Sequence, residues 1–438
     1  MRRFAPLAAI ASALVALAVW PAFASHAVAG DPTAALTPAP LRDDATIRAK
    51  TIAFEESRQT QDAEDQITPR LLADQYLQRY RERGDVGDVL RAQAAARRSL
   101  RIQPRNNVTA EQELAAAQLT LHRFRDARAT VRAARFEEPD NISLAMSEAS
   151  LDMELGEYGA AQALVARHGG GDTEATEIVA ARLAELTGDL PRARMLLGRA
   201  MRRADAVYGI PNERRAWFHV RSGELAFEAG DVAAALREER TALERFPDDV
   251  QALTDSARFA AALGRWDDVR TNAEHAVRLT PSPENLGLLA DAQEHLCSAA
   301  TARAIRDEIA AVERIGNAQH LADRLLALEY ADHGTRVGDA YAIARRELAV
   351  RDDVFAQDTL AWTAARTGRW AEARAAAARA TAWNTADPRI WYHAGVIAEQ
   401  AGDRGRAATC YGHALGLNPH FAARFADDAR ARLTRLGG

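Results

Sequence analysis

Three observations predict an all-α protein built from stacked helical hairpins. Gly230 and Gly264 stand 34 residues apart, as do Gly368 and Gly402, and the pairs Ala242/Ala276, Pro247/Pro281, Ala373/Ala407 and Ala380/Ala414 keep the same step. The apolar content, 48% of 438 residues, is mostly alanine and leucine, with aromatics only 6%; alanine, leucine and arginine are all strong helix formers. No stretch alternates β-branched and polar residues as a strand would. A period of this length copies one helix-turn-helix unit along the chain. One unit cannot bury its apolar face alone, so the copies must stack into a solenoid.

The N-terminus reads as an export signal over residues 1–24. Arg2 and Arg3 supply charge, Leu7 to Trp20 the apolar run, and Ala22-Phe23-Ala24 a small-residue cleavage site. Cleavage after Ala24 is the first expectation and after Ala29 the second. The run of 14 residues is shorter than the roughly 20 that span a bilayer, so no transmembrane span is expected after cleavage. Residues 25–42 are rich in Ala, Pro and Thr and read as a flexible linker. An end of a repeat stack needs a cover. Residues 43–72 are assigned to an N-terminal capping helix with Ile47, Ile52 and Phe54 on its apolar side.

Four repeats and an insertion fill residues 73–215. The first holds Tyr76, Gly87, Ala92 and Pro104; the second has Ala127 and Ala134, with His122 in the turn column. The third turns at Gly156 and closes at Gly169-Gly170-Gly171; the fourth turns at Gly188. The segment 201–215, with Gly209-Ile210-Pro211, is read as an insertion that lets the two halves flex. Six more repeats fill 216–421, turning at Gly230, Gly264, Cys297, Gly334, Gly368 and Gly402. Glycine reaches left-handed backbone angles without a Cβ penalty; Pro247, Pro281 and Pro419 follow second helices that proline cannot continue. Residues 422–438 form a C-terminal capping helix, on an apolar stripe of Phe421, Phe425, Ala429 and Leu433.

These columns resemble the tetratricopeptide repeat. The last unit matches best, with Trp391, Ala394, Gly395, Ala398, Gly402, Ala407, Tyr411, Ala414 and Pro419; the one before carries Leu360, Ala361, Ala364, Gly368, Trp370, Ala373 and Ala380. The resemblance implies a right-handed α-solenoid of about ten repeats whose concave groove binds a protein segment. In that register Trp217, Phe227, Phe355, Trp362 and Tyr392 fall on groove-facing columns, either as contact residues or packed against the next repeat. Arg81, Arg182, Glu224, Arg258, Asp291, Arg366 and Glu399 occupy other groove columns. Tyr158, Trp266 and Trp370, each two residues after a turn glycine, are expected in the core. The family's carboxylate clamp uses lysines and asparagines, and Lys50 is the only lysine of the chain.

Chemistry is sparse. No nucleophile elbow, metalloprotease helix or phosphate loop occurs, so no enzyme and no cofactor is expected. Cys410, His413, His393 and His420 are read as packing and surface residues and not as a metal site. Cys297 and Cys410 lie more than three repeats apart, too far for a disulfide. Arg83-Gly84-Asp85 reads as a turn between helices. A net charge of −5 argues against nucleic acid. Charge is uneven: residues 67–136 hold 14 Arg against 7 acids, and 137–190 hold 2 Arg against 12. These read as separate basic and acidic patches that steer a partner. The sequence therefore points to a non-enzymatic interaction scaffold of a bacterial cell envelope, periplasmic or secreted, with a protein or peptide partner. The alternative is a self-association or assembly module.

Overall fold

The computed structural model describes residues 43–168, 173–296, 298–318 and 324–437. The signal segment 1–24, the linker 25–42, the triple glycine and Cys297 lie outside the described residues. Among those described there are 22 helices and no strand. A lone helix, α1 (Asp44–Gln61), comes first. The four N-terminal pairs are α2 (Ile67–Arg83) with α3 (Val86–Ile102), α4 (Val108–Thr120) with α5 (Phe124–Glu137), α6 (Ile142–Glu154) with α7 (Tyr158–His168), and α8 (Glu174–Leu186) with α9 (Leu190–Asp205). The next three are α10 (Asn212–Glu228) with α11 (Val232–Arg245), α12 (Val250–Ala262) with α13 (Trp266–Leu279), and α14 (Pro283–His295) with α15 (Ala299–Ala318). The last three are α16 (Arg324–His333) with α17 (Val337–Val350), α18 (Val354–Arg366) with α19 (Trp370–Ala380), and α20 (Pro388–Gln400) with α21 (Arg404–Leu417); α22 (Ala426–Leu436) ends the chain.

Most of the described hairpins turn the same way. The residue after the turn returns its N–H to a carbonyl one helical turn back: Asp189 to Ala184 (2.8 Å), Asp231 to Ala226 (2.9 Å), Arg369 to Ala364 (2.8 Å), Asp403 to Ala398 (3.0 Å). This satisfies carbonyls the helix end leaves open and requires a left-handed residue just before. Gly188 (φ +82°) and Gly230 (φ +80°) supply it, and His122 does so without glycine at φ +57°. Aspartates cap four of the second helices, at Asp85, Asp189, Asp231 and Asp403; Asp231 accepts from the Ala234 N–H at 2.9 Å. In the first repeat the turn is made by Gly84 (φ +71°), inside the Arg83-Gly84-Asp85 triplet. Gly87, the glycine the sequence picks out in that repeat, lies within α3.

The stack is a coil whose later repeats lie against its earlier ones. The turns of the third, fourth and fifth repeats meet the loops after the eighth, ninth and tenth. Tyr158 Oη accepts from the Val354 N–H at 2.9 Å, the Ala386 N–H donates to the Glu185 carbonyl at 3.2 Å, and Asn418 Nδ2 donates to the Phe227 carbonyl at 2.6 Å. At the N-terminal end, Asp44 accepts from the Asn212 N–H (2.8 Å) and Gln78 Nε2 donates to Glu213 (2.9 Å). The expected hinge is therefore bridged. The extra residues before the fifth repeat lengthen α9 to 16 and α10 to 17 residues.

Three packing expectations change. On α1 only Ile52 is buried, beside Arg48 and Glu55, while Ile47 and Phe54 are exposed; the inward face is mostly polar because Arg48 bonds Glu82 and Gln75 at 2.8 Å. Trp370 is 37% exposed where Tyr158 is 2%. Trp266 is half-buried, stacked 3.7 Å from His295. Tyr158 alone of the three is covered by another turn of the coil. At the C-terminus, Phe421 and Phe425 are buried, yet the helix itself begins only at Ala426.

The acidic stretch 137–190 does not form a free patch. Glu148 pairs with Arg132 (2.6 Å) and Arg135, Asp152 and Glu157 with Arg128 (3.1 and 2.6 Å), and Glu177 with Arg199 and Arg203 (2.8 and 2.9 Å). Much of the charge contrast along the chain is spent joining the second repeat to the third and the two helices of the fourth.

Candidate binding cavity

The first helix of each pair faces the axis of the coil. From α6 onward these helices converge, with the loops at Arg351, Asp387 and Phe421–Phe425, on a cavity of about 320 Å³. Its wall is charged because the inner columns are charged in sequence. Arg221 and Glu224 of α10 recur 34 residues on in α12 with reversed sign, as Asp255 and Arg258. Since neighbouring first helices align these columns, acid meets base across the stack.

An ion-pair ladder results. Arg182 binds Glu185, Arg221 reaches Glu185 at 2.6 Å and also binds Glu224, and Arg258 reaches Asp255 at 2.6 Å. On the opposite wall Arg389 binds Asp332, and His333 lies 3.0 Å from Asp291 and 3.1 Å from Glu329. Burial pulls the His333 imidazole down, but its bonds to Asp291 and the charge of Glu329 outweigh that and hold it above its usual range. Burial pushes Glu329 up to about 7. Phe355 stands between two cations, with Arg182 and Arg324 at 5.2 and 5.3 Å from its ring centre.

Of the residues the groove register selects, Glu224, Phe227, Arg258 and Phe355 line this cavity, as do Arg182 and Asp291. The others lie elsewhere. Trp217 packs edge-on against Phe218, ring centres 4.9 Å apart. Trp362 and Tyr392 are buried beneath the C-terminal cap: Trp362 stacks on His393 at 4.3 Å, and Tyr392 stacks on Phe425 at 4.8 Å and donates its hydroxyl to Asp428. Arg366 is exposed over the Trp362 ring, and Glu399 accepts from Tyr411 and Arg432, both at 2.8 Å. Arg81 bonds Gln78 near the first repeat's own inner face.

Sequence reasoning passed over Glu228, Glu284, Arg324 and Arg351, which also line the cavity. Glu284 and Arg351 lie at a helix start and in a loop, outside the mid-helix columns that the repeat register indexes. The alternating sign of Arg221/Glu224 and Asp255/Arg258 was the available signal. Among the described residues no three His, Cys, Asp or Glu side chains gather as a metal site. His393 is fully buried against Asp358 (3.0 Å), Cys410 is buried, and His420 is exposed. No described helix is long and apolar enough to cross a membrane.

The repeat type follows from how paired helices touch. Gly395 of α20 faces Tyr411 of α21 so closely that a Cβ there would lie 2.6 Å from the ring. The same small-for-large fit sets Gly223 of α10 against Glu239 of α11. Across the ten helix pairs, alanines are buried at Ala235, Ala242, Ala273, Ala276, Ala373, Ala380, Ala407 and Ala414. The helix pairs have the architecture of tetratricopeptide repeats. No protein-family model and no curated protein matches the chain. Similar solved structures include PilW, described as a widely conserved type IV pilus biogenesis factor, at 16% identity and a TM-score of 0.41, covering 47% of this chain and 93% of that one. Another is a tetratricopeptide repeat protein from Parabacteroides merdae ATCC 43184, at 18% identity and a TM-score of 0.34, covering 61% of this chain and 100% of that one.

Proposed function

We propose that this chain is a non-enzymatic interaction scaffold of the bacterial cell envelope, exported by its N-terminal signal, that holds a short segment of a partner protein in the central cavity. The observation that carries the reading is the convergence of the inner faces of eight tetratricopeptide repeats on one charged cavity. Its volume, about 320 Å³, is at the lower end for binding pockets. It admits the tip of a loop or a few extended residues, not a folded domain. Phe227 and Phe355 are the apolar contacts and Glu224 and Arg258 the polar ones. The paired charges of the wall give orientation more than affinity.

The test is a photo-crosslinking amino acid placed at Phe355 in the cavity and, separately, at Trp370 on the outer face. A partner from an envelope fraction captured at 355 and not at 370 supports the proposal; capture at 370 alone, or equally at both, overturns it.

A second reading, self-association, is favoured by the exposed Phe136, Met195, Val207 and Tyr208 on the outside of the second to fourth repeats. Sizing the protein across a hundredfold concentration range decides it, since a monomer throughout removes that reading.

A further inference from the structure

Most charges facing the cavity are matched by a neighbour, and the exceptions are informative. Glu284, in the first turn of α14, and Arg324, at the start of α16, both line it. Among the described residues neither is hydrogen-bonded or ion-paired, although each lies within electrostatic reach of the other. Glu228, two repeats earlier on α10, has a buried carboxylate oxygen with no partner. Burial pushes the Glu228 and Glu284 carboxyls up, and burial together with Arg351 pulls the Arg324 guanidinium down.

Fold requirements explain only part of this. The N-terminus of α14 favours a carboxylate at Glu284, and the Phe355 ring gives Arg324 a face to rest on. Neither supplies a hydrogen bond to the half-buried Glu284 carboxylate or to the buried Arg324 Nε. The ladder of Arg182, Glu185, Arg221 and Glu224 shows that this wall closes ion pairs where side chains can meet. Glu284 and Arg324 stand on different helices that line the cavity, within reach of each other's charge but without an ion pair.

We propose that the occupant of the cavity is dipolar: a peptide-sized group with one ammonium or guanidinium bound by Glu284 and one carboxylate bound by Arg324. This rests on reading the cavity as the site that holds a partner segment. Arginine's planar fork suits the carboxylate, and the Glu284 carboxylate suits a cation with several donors. The same chemistry is offered by adjacent basic and acidic side chains within a protein segment and by a free dipeptide.

Calorimetric titration separates these cases with three probes: acetyl-Arg-Glu-amide, free Arg-Glu, and the neutral acetyl-Gln-Gln-amide. Binding of either charged probe at least 10-fold tighter than the neutral one is expected, reduced at least 10-fold by Glu284→Gln and by Arg324→Gln. Binding of the capped probe assigns a protein segment as the source; binding of free Arg-Glu alone assigns a small solute. Equal binding of the neutral probe, no binding of either charged probe, or unchanged affinity in both variants overturns the proposal. Among the described residues neither side chain is hydrogen-bonded or ion-paired, so both variants should fold, and a melting curve of each separates lost binding from lost fold. Crosslinking at Phe355 with no charge preference among the probes would sink the dipolar occupant alone; failure of both would remove the cavity as a site.

Discussion

Arg351 Nη2 lies 2.6 Å from the carboxylate of Glu154, and through this pair the eighth repeat rests on the third. Arg351 is 2% exposed, also binds Asp353, and covers the Phe124 ring at 5.4 Å. It is a clasp between successive turns of the coil. Removing one partner of a buried pair strands the other, which costs about 3–5 kcal/mol. Arg351→Met should therefore lower the unfolding free energy by that order, read from a lower denaturant midpoint. Glu154→Gln should do less, because Arg351 keeps Asp353. Small-angle scattering should also show a larger radius of gyration for Arg351→Met, and an unchanged radius would mean that the other contacts close the coil alone.

The turn glycines separate two demands that coincide at some positions. Gly188 and Gly264 both have positive φ, +82° and +68°. A Cβ on Gly188 would strike the Asn384 carbonyl oxygen, whereas one on Gly264 would meet nothing within 4 Å. Alanine at Gly264 should cost only the left-handed backbone penalty, about 1–2 kcal/mol. Alanine at Gly188 should cost more, and hydrogen exchange should show lost protection at Ala386, which bonds the Glu185 carbonyl. Equal effects at the two sites would show that the close approach contributes nothing.

The same distinction explains what could be read from the residues. Turn glycines, proline stops and alanine columns are local requirements, so the ten hairpins were legible at Gly156, Gly230 or Pro419 one repeat at a time. The coil's return upon itself was not. Whether Asp352 meets Gly156 depends on the small rotation added by each intervening repeat, and no short window encodes that sum. Tyr158 and Trp370 occupy the same column, yet one is buried under Val354 and the other is open. For the cavity, the register found Glu224, Phe227, Arg258 and Phe355. At Trp362 and Tyr392 the packed alternative holds, under Phe425 and α22, and the columns did not index Arg324 or Glu284.

Glu239 should make stability fall with rising pH. It is fully buried on α11 with neither carboxylate oxygen hydrogen-bonded. Burial, then the nearby Asp255 and Asp249 charges, raise its pKa well above the usual 4.5. The folded state thus binds this proton more tightly than the unfolded chain does. The contribution is complete below 4.5 and is lost as pH rises through the raised folded value. Glu239→Gln keeps the neutral shape and has no proton to lose. Its melting temperature should match the parent near pH 4 and exceed it at pH 8, by on the order of 2 °C per kcal/mol recovered. A parallel pair of pH profiles would show that Glu239 stays neutral, or finds a partner, throughout.

The C-terminal cap should stabilise helices far from it in sequence. Phe425 is 8% exposed and touches Trp362, Tyr392 and His393, with ring centres 4.8–6.1 Å apart. Phe425→Ala empties that contact and should cost about 3–5 kcal/mol locally. In an open repeat array the damage would decay into the tenth and ninth repeats, because each repeat touches only its neighbours. Here the segment between α21 and α22 also holds the fifth repeat, since Asn418 Nδ2 donates to the Phe227 carbonyl at 2.6 Å and Leu417 and Pro419 flank Gly230. Hydrogen exchange of Phe425→Ala should therefore show faster exchange in α18, α20 and α22 and also around Asp231, while α12 to α15, nearer in sequence to the cap than Asp231 is, keep their protection. Loss that fades steadily from α22 toward α12, with Asp231 untouched, would mean that the coil transmits stability only along the chain.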